Sequence, residues 1–189
     1  MKFMVNPFVL AFICLMPFGQ ITAQESVVTP PSEGKAVIYF VRTGGTGGWF
    51  NFRFFEKENY LGKFQGKNYI RHECDPGEYI FWVKAENIDF IETDLKEGGT
   101  YLVQVAPVPG AFHSGVKFRI VDYSKEKLVE RIHRVLRENE GVAFSKDEQE
   151  EGEEDMAEVI NSGIRTIQKK RQRKKKVKRI TQDMTYPFL

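Results

Sequence analysis

The chain has 189 residues, 13% of them aromatic, with 28 basic and 26 acidic side chains for a net charge of +2. That length suits one domain of ordinary size plus an appendage, and the near-neutral average hides strong local asymmetry. Two cysteines, Cys14 and Cys74, exclude a CxxC centre or a Cys/His metal cluster.

The N-terminus opens with Lys2, continues with the apolar "PFVLAFICLMPF" and turns polar at "GQITAQE". This order predicts a secretory signal peptide over residues 1–24, cleaved near Ala23 or Gln24. The apolar run is roughly half of the ~20 residues that span a bilayer, and Pro17 interrupts it. Lipid anchoring through Cys14 is not expected, because the preceding "AFI" lacks the small residue found before a lipidated cysteine. Removal of the signal leaves Cys74 alone, so no intramolecular disulfide can form even where export permits one.

Residues 25–33 carry Pro30-Pro31 and read as a linker. From residue 34 to residue 123, short apolar runs alternate with turn residues. "KAVIYFVRT" is β-branched, aromatic and nearly continuous, as for a strand buried on both faces. "GGTGG" (44–48) follows as a loop, and "WFNFRFFE" then places Phe50, Phe52 and Phe54 on one face. "NYLGKF" and "NYIRHEC" are short strands, the second closed by "DPGEY", in which Pro76 presets φ and Gly77 can take φ > 0. "YIFWVKA" sets Tyr79, Phe81 and Val83 opposite Ile80 and Trp82, and "IDFIETDL", "TYLVQVAPV" and "VKFRIVDY" complete the set. About eight short strands without a helical period among them predict a mainly β domain, an antiparallel β-sandwich or barrel.

At Ser124 the period switches. Leu128, Val129, Ile132, Val135 and Leu136 recur at helical spacing after a predicted Ser124 N-cap, giving a helix over residues 124–141 that packs on the open face of the sheet. Residues 142–189 form a charged extension, helical or disordered, acidic from Asp147 to Glu158 and basic from Lys169 to Arg179. The closing "MTYPFL" is apolar enough to dock on the body or to trail free.

The motifs "GKAVIYFVR" (34–42), "YLGKFQGKNYI" (60–70), "DPGEY" (75–79) and "LKEGGTYLVQV" (95–105) stand in an order that resembles an exported bacterial family, domain-of-unknown-function family 2846. The resemblance covers roughly residues 34–122. It implies a small β-sandwich, often a lipoprotein, and supplies no catalytic residues to carry over. The "FNFRFFEKEN" hairpin and everything after Tyr123 depart from that pattern.

Few residues suggest chemistry. His72 and Cys74 share one face of a strand, but a nucleophilic pair also needs an oriented base and an oxyanion donor. His72, His113 and His133 lack metal-ligand spacing, and "GGTGG" lacks the following lysine and helix of a phosphate loop. Trp49, Phe50 and Trp82 are candidate ligand-facing aromatics for a sugar, although a small sandwich also fills its core with aromatics. Lys169, Lys170, Arg171, Arg173, Lys174, Lys175, Lys176, Lys178 and Arg179 are candidates for binding an anionic surface, at about 1 kcal/mol per cation near a charged membrane. No aromatic interleaves them and the signal directs export, so nucleic acid is not the expected partner.

The acidic block offers the basic run an alternative. The two blocks are centred about 22 residues apart, about 33 Å on a straight helix and several times the ~8 Å Debye length at physiological salt. Pairing within the chain therefore needs a reversal, for which "NSG" (161–163) has the composition. On a straight helix an antiparallel partner chain would do the same, making a homodimer through the tail. The expectation is thus an exported, non-enzymatic binding or structural module of a bacterial cell envelope, without cofactor. Its partner would be an envelope protein or an anionic membrane surface. The alternatives are peripheral attachment to anionic membrane or polyanion through the basic run, and action on envelope carbohydrate.

Overall fold

The computed structural model describes residues 27–44, 50–109, 114–145, 148–149, 155–173 and 177–188. The expected signal peptide and Cys14 lie outside them. Strands β1 (Ala36–Arg42), β4 (Asn68–Cys74), β7 (Thr100–Pro109) and β8 (Ser114–Ile120) form one sheet in the order β4-β1-β7-β8. Strands β2 (Phe52–Glu56), β3 (Asn59–Phe64), β5 (Gly77–Lys84), β6 (Ile88–Leu95) and β9 (Arg179–Ile180) form the other, in the order β3-β2-β5-β6-β9.

The two-sheet, mainly β architecture is the one the alternation predicts. Both sheets are mixed, however, because β1 pairs parallel to β7 and β9 pairs parallel to β6. Period-2 alternation records which face a side chain takes; it carries no information about the direction of a neighbouring strand.

β1 is buried at every position, as its unbroken apolar run requires. Ala36, Ile38 and Phe40 point between the sheets, whereas Val37, Tyr39 and Val41 point outward under a helix. The centre of the sandwich is aromatic: the Phe40 ring lies 5.3 Å from both Phe81 and Phe118, and Phe54 stacks on Phe64 at 4.8 Å. Alternation after Phe52 and Phe54 places Phe55 on the outer face, opposite Trp82 of β5, on which it stacks at 3.9 Å. Gly77 adopts φ 151° in the β4–β5 reversal, the positive-φ backbone its position suggested.

After β8 the chain wraps the sandwich. Helix α1 (Glu126–Glu138) lies on the outer face of the first sheet, burying Ile132, Val135 and Leu136 against Val37, Tyr39, Val41 and Leu102. Ser124 does not cap it. Its hydroxyl bonds Asp122 at 2.6 Å, and Lys125 occupies the cap position without a side-chain bond, because the Asp122 turn captures the serine first.

Residues 139–145 then cross one side of the sandwich, where the Val142 amide donates to the Tyr69 carbonyl at 2.8 Å. There Phe144 lies over Gly62, at which a Cβ would come within 2.3 Å of the ring. Helix α2 (Ala157–Gln172) covers the outer face of the second sheet, and β9 closes its edge.

The end of the chain docks. The Tyr186 amide donates to the Thr100 carbonyl at 2.7 Å, and its ring packs against Tyr123 and His133. The Tyr186 hydroxyl lies 3.0 Å from His133 Nε2, within hydrogen-bond distance, the donor being set by the imidazole tautomer. Burial, helped by nearby Arg137, lowers the His133 pKa below 6.5. The unfolded chain therefore binds this proton more readily, so the stability this group contributes is present above pH 6.5. It is lost as the pH falls through the depressed folded value. Thermal melting between pH 7.5 and 5 is expected to show this acid loss, and His133→Gln is expected to flatten that part of the profile. Equal slopes in the two proteins would remove His133 from the account.

Candidate functional site

The sequence nominates three places for function: the His72/Cys74 face, the aromatic set and the basic run.

His72 and Cys74 do share a face of β4, and it is the inner one, opposite Ile38 and Ala36 of β1. Cys74 packs at the margin of the central core, and burial pushes its thiol up to about 11, with Glu56, Asp75 and Glu73 adding to the shift against a bond from Tyr79. A thiol in that state is protonated at neutral pH and is a poor nucleophile. His72 Nε2 sits 2.9 Å from Glu56 Oε2, and its ring meets Phe81 edge-on. No group of three or more metal-ligating side chains converges among the described residues, which do not include His113.

The aromatic set is dispersed. Trp82 faces no ligand: it is 0% exposed, stacked on Phe55 beneath α2, with its indole N–H donating to the Lys57 carbonyl at 2.7 Å. The reason is a layer that strand alternation could not show. The outer face of β5 is solvent-facing only until α2 covers it. Phe50 is 41% exposed at the loop before β2, and Trp49 lies outside the described residues.

The basic run is where sequence and structure differ most. Asn161–Gly163 forms no turn. It lies inside α2, and Gly163 is the contact point, since a Cβ there would sit 2.4 Å from the Trp82 ring. The glycine serves close helix-to-sheet approach, so α2 runs unbroken and holds Glu158 in its first turn and Lys169, Lys170 and Arg171 in its last.

Several cations are instead paired with carboxylates of the sheet. Arg171 Nε contacts Glu92 at 2.8 Å, and Arg179 bonds Glu78 with Glu92 also within 4.0 Å. Lys178 bonds Asp89 and donates to the Phe118 carbonyl at 3.1 Å. Lys170 donates to the Ile88 carbonyl at 2.8 Å and lies over the Phe90 ring. Burial lowers the Lys178 pKa; Asp89 opposes the shift, while Lys117 and Lys170 reinforce it. These four side chains fasten the tail.

The remaining cations face water. Arg165, Lys169 and Arg173 are exposed at i, i+4 and i+8 along α2, one stripe on the side away from the sheet, with no carboxylate at ion-pair distance among the described residues. Arg165 was missed because it precedes the dense run, yet its spacing from Lys169 and Arg173 was legible. Lys174, Lys175 and Lys176 lie outside the described residues. The acidic partners Asp89, Glu92 and Glu78 had no signal in sequence, being residues of β5 and β6 some 80 to 100 positions away.

The site is therefore a cationic helix face held rigid by a second set of cations bound to the body. Scanned against models of known families the sequence matches none, and a search among curated proteins finds no match either, so the resemblance over residues 34–122 rests on its four motifs alone.

Proposed function

We propose that this protein is an exported, non-enzymatic binding or structural module of a bacterial cell envelope. The order of Lys2, apolar core and small polar residues over 1–24 supports export, as does the resemblance of residues 34–122 to an exported family. The observation that carries the non-enzymatic reading is the fate of the reactive pair. Burial holds Cys74 up to about 11, and His72 is engaged by Glu56.

A second reading, attachment to an anionic membrane or polyanion through the basic run, is favoured by the exposed stripe of Arg165, Lys169 and Arg173. Three aligned cations with no carboxylate at ion-pair distance among the described residues are placed to attract anionic groups.

Export is tested by expressing the full chain in a Gram-negative host, fractionating the cells and sequencing the N-terminus of the product. The expected product is found outside the cytoplasm and begins at Gln24 or Glu25. An uncleaved cytoplasmic product would defeat the envelope reading.

A further inference from the structure

We propose that the basic stripe of α2 is one end of a continuous cationic band that passes over β8 into the groove beside α1, and that the band binds a flexible linear polyanion. The proposal deepens the second reading above and rests on it.

The other end of the band is a groove of about 690 Å³ between α1 and the outer faces of β7 and β8. Helix α1 packs mainly over β1, β4 and Leu102 of β7, and Lys117 and Arg119 stay exposed on β8. Arg119, Lys125, Lys127 and Arg131 line the groove against two carboxylates, Asp122 and Glu126. Asp122 is already engaged by Ser124 and Lys125, whereas Arg119, Lys127 and Arg131 have no ion-pair partner among the described residues.

Residues of β8 join the two ends. Lys117 and Arg119 pair with Ala106 and Gln104 of β7, so they stand two residues apart on the same outer face of β8, each lining one of two depressions. Lys117 shares the second depression, about 260 Å³, with Lys170 of α2. Asp89 lines the same depression, where it pairs with Lys178, and Lys178 also donates to the Phe118 carbonyl, next to Lys117 on β8, at 3.1 Å. From groove to helix, Arg131, Lys127, Arg119 and Lys117 have no ion-pair partner among the described residues, and Lys170, held by the Ile88 carbonyl, links them to the stripe.

The shape selects the ligand. The groove lies on the outer face of one sheet and α2 on the outer face of the other, with the β8–β6 side between them. A flat bilayer can meet one of these faces at a time. A flexible polymer can follow the bend, and it gains entropy from counterions released at every contact. The path is on the order of 35 Å, from ~12 Å along the helix stripe, ~10 Å between sheets and a similar length of groove. Carboxylate or phosphate polymers of the extracytoplasmic space have the required chemistry.

The test uses the mature chain with polyphosphate and polygalacturonate, each in long and very short forms, and separately with phosphatidylcholine vesicles containing phosphatidylglycerol. Two triple variants are compared, Lys117→Gln/Arg119→Gln/Arg131→Gln in the groove and Arg165→Gln/Lys169→Gln/Arg173→Gln on the stripe. Neither set touches an ion pair that fastens the tail. Each set is expected to weaken binding of a long polymer at least about tenfold at low salt, and to reduce the log–log salt slope by about two. Very short polymers are expected to bind weakly and to distinguish the variants little.

If the stripe variant loses polymer binding and the groove variant does not, the band is refuted and the simpler reading of the basic run stands. If vesicles bind but long polymers do not, the contact is a membrane and the polyanion proposal fails. If neither binds, both readings fall together.

Discussion

Replacing Gly163 by leucine is expected to lift helix α2 off the sandwich and to cost about 3 kcal/mol of stability, at the upper end of the range for an overpacked contact. The Trp82 ring fills the space into which any side chain at this position would grow. The adjoining seats of Ile160 and Ile167 on Phe55, Tyr60 and Phe90 depend on the same approach distance. Leucine is also the better helix former by somewhat under ~1 kcal/mol, so the helix need not melt when it leaves. The two effects are separable. In a Trp49→Phe background, Trp82 emission is expected to shift to the red while far-UV helicity is kept. An unchanged emission maximum together with an unchanged urea midpoint would show that α2 is not seated on Trp82.

The second large effect is expected at Asp89, where alanine should cost about 2–3 kcal/mol. One oxygen of this carboxylate, Oδ2, accepts from both Lys178 and the Phe118 amide, the latter at 2.7 Å. Deleting it strands the Phe118 N–H of an edge strand and leaves the half-buried Lys178 ammonium without its counter-charge, held only by the Phe118 carbonyl. Asp89→Asn keeps an acceptor for Phe118 and should cost less. Asp89→Ala combined with Lys178→Met should cost clearly less than the sum of the two single changes, because neither leaves the other's charge unpaired. Additive losses in denaturant melts would mean that the pair is not formed.

Both predictions concern the tail, which is where reading the sequence was least informative. The strands of the sandwich were legible because each writes its environment locally. The continuous apolar run of β1 meant burial on both faces, and the alternation of Tyr79 to Val83 separated core from outer face correctly. The helical stripe from Leu128 to Leu136 likewise announced the packing of α1. Ser124 misled because its local competitor, Asp122, holds the hydroxyl that would have capped the helix.

The candidate site was legible in composition only. Nine cations between Lys169 and Arg179 could be counted, but not sorted into those that fasten the tail and those that face water. That sorting depends on where Glu78, Asp89 and Glu92 stand, and their positions follow from strand pairing across the whole domain. Gly163 carries the same lesson. Beside Asn161 and Ser162 it has the composition of a turn, yet within α2 it is the one residue small enough to let a helix rest on an indole.

The sequence alone thus determined the mainly β class, the places of the eight strands before α1 and the existence of α1, seen at Glu126–Glu138, since periodicity and turn chemistry act over a few residues. Tertiary structure decided the rest: the parallel pairing of β1 with β7 and β6 with β9, the burial of Trp82, and the division of the basic run into fastening and exposed sets. Those outcomes are contacts between segments far apart in the chain, selected by shape and by the burial of charge, and no local pattern encodes them.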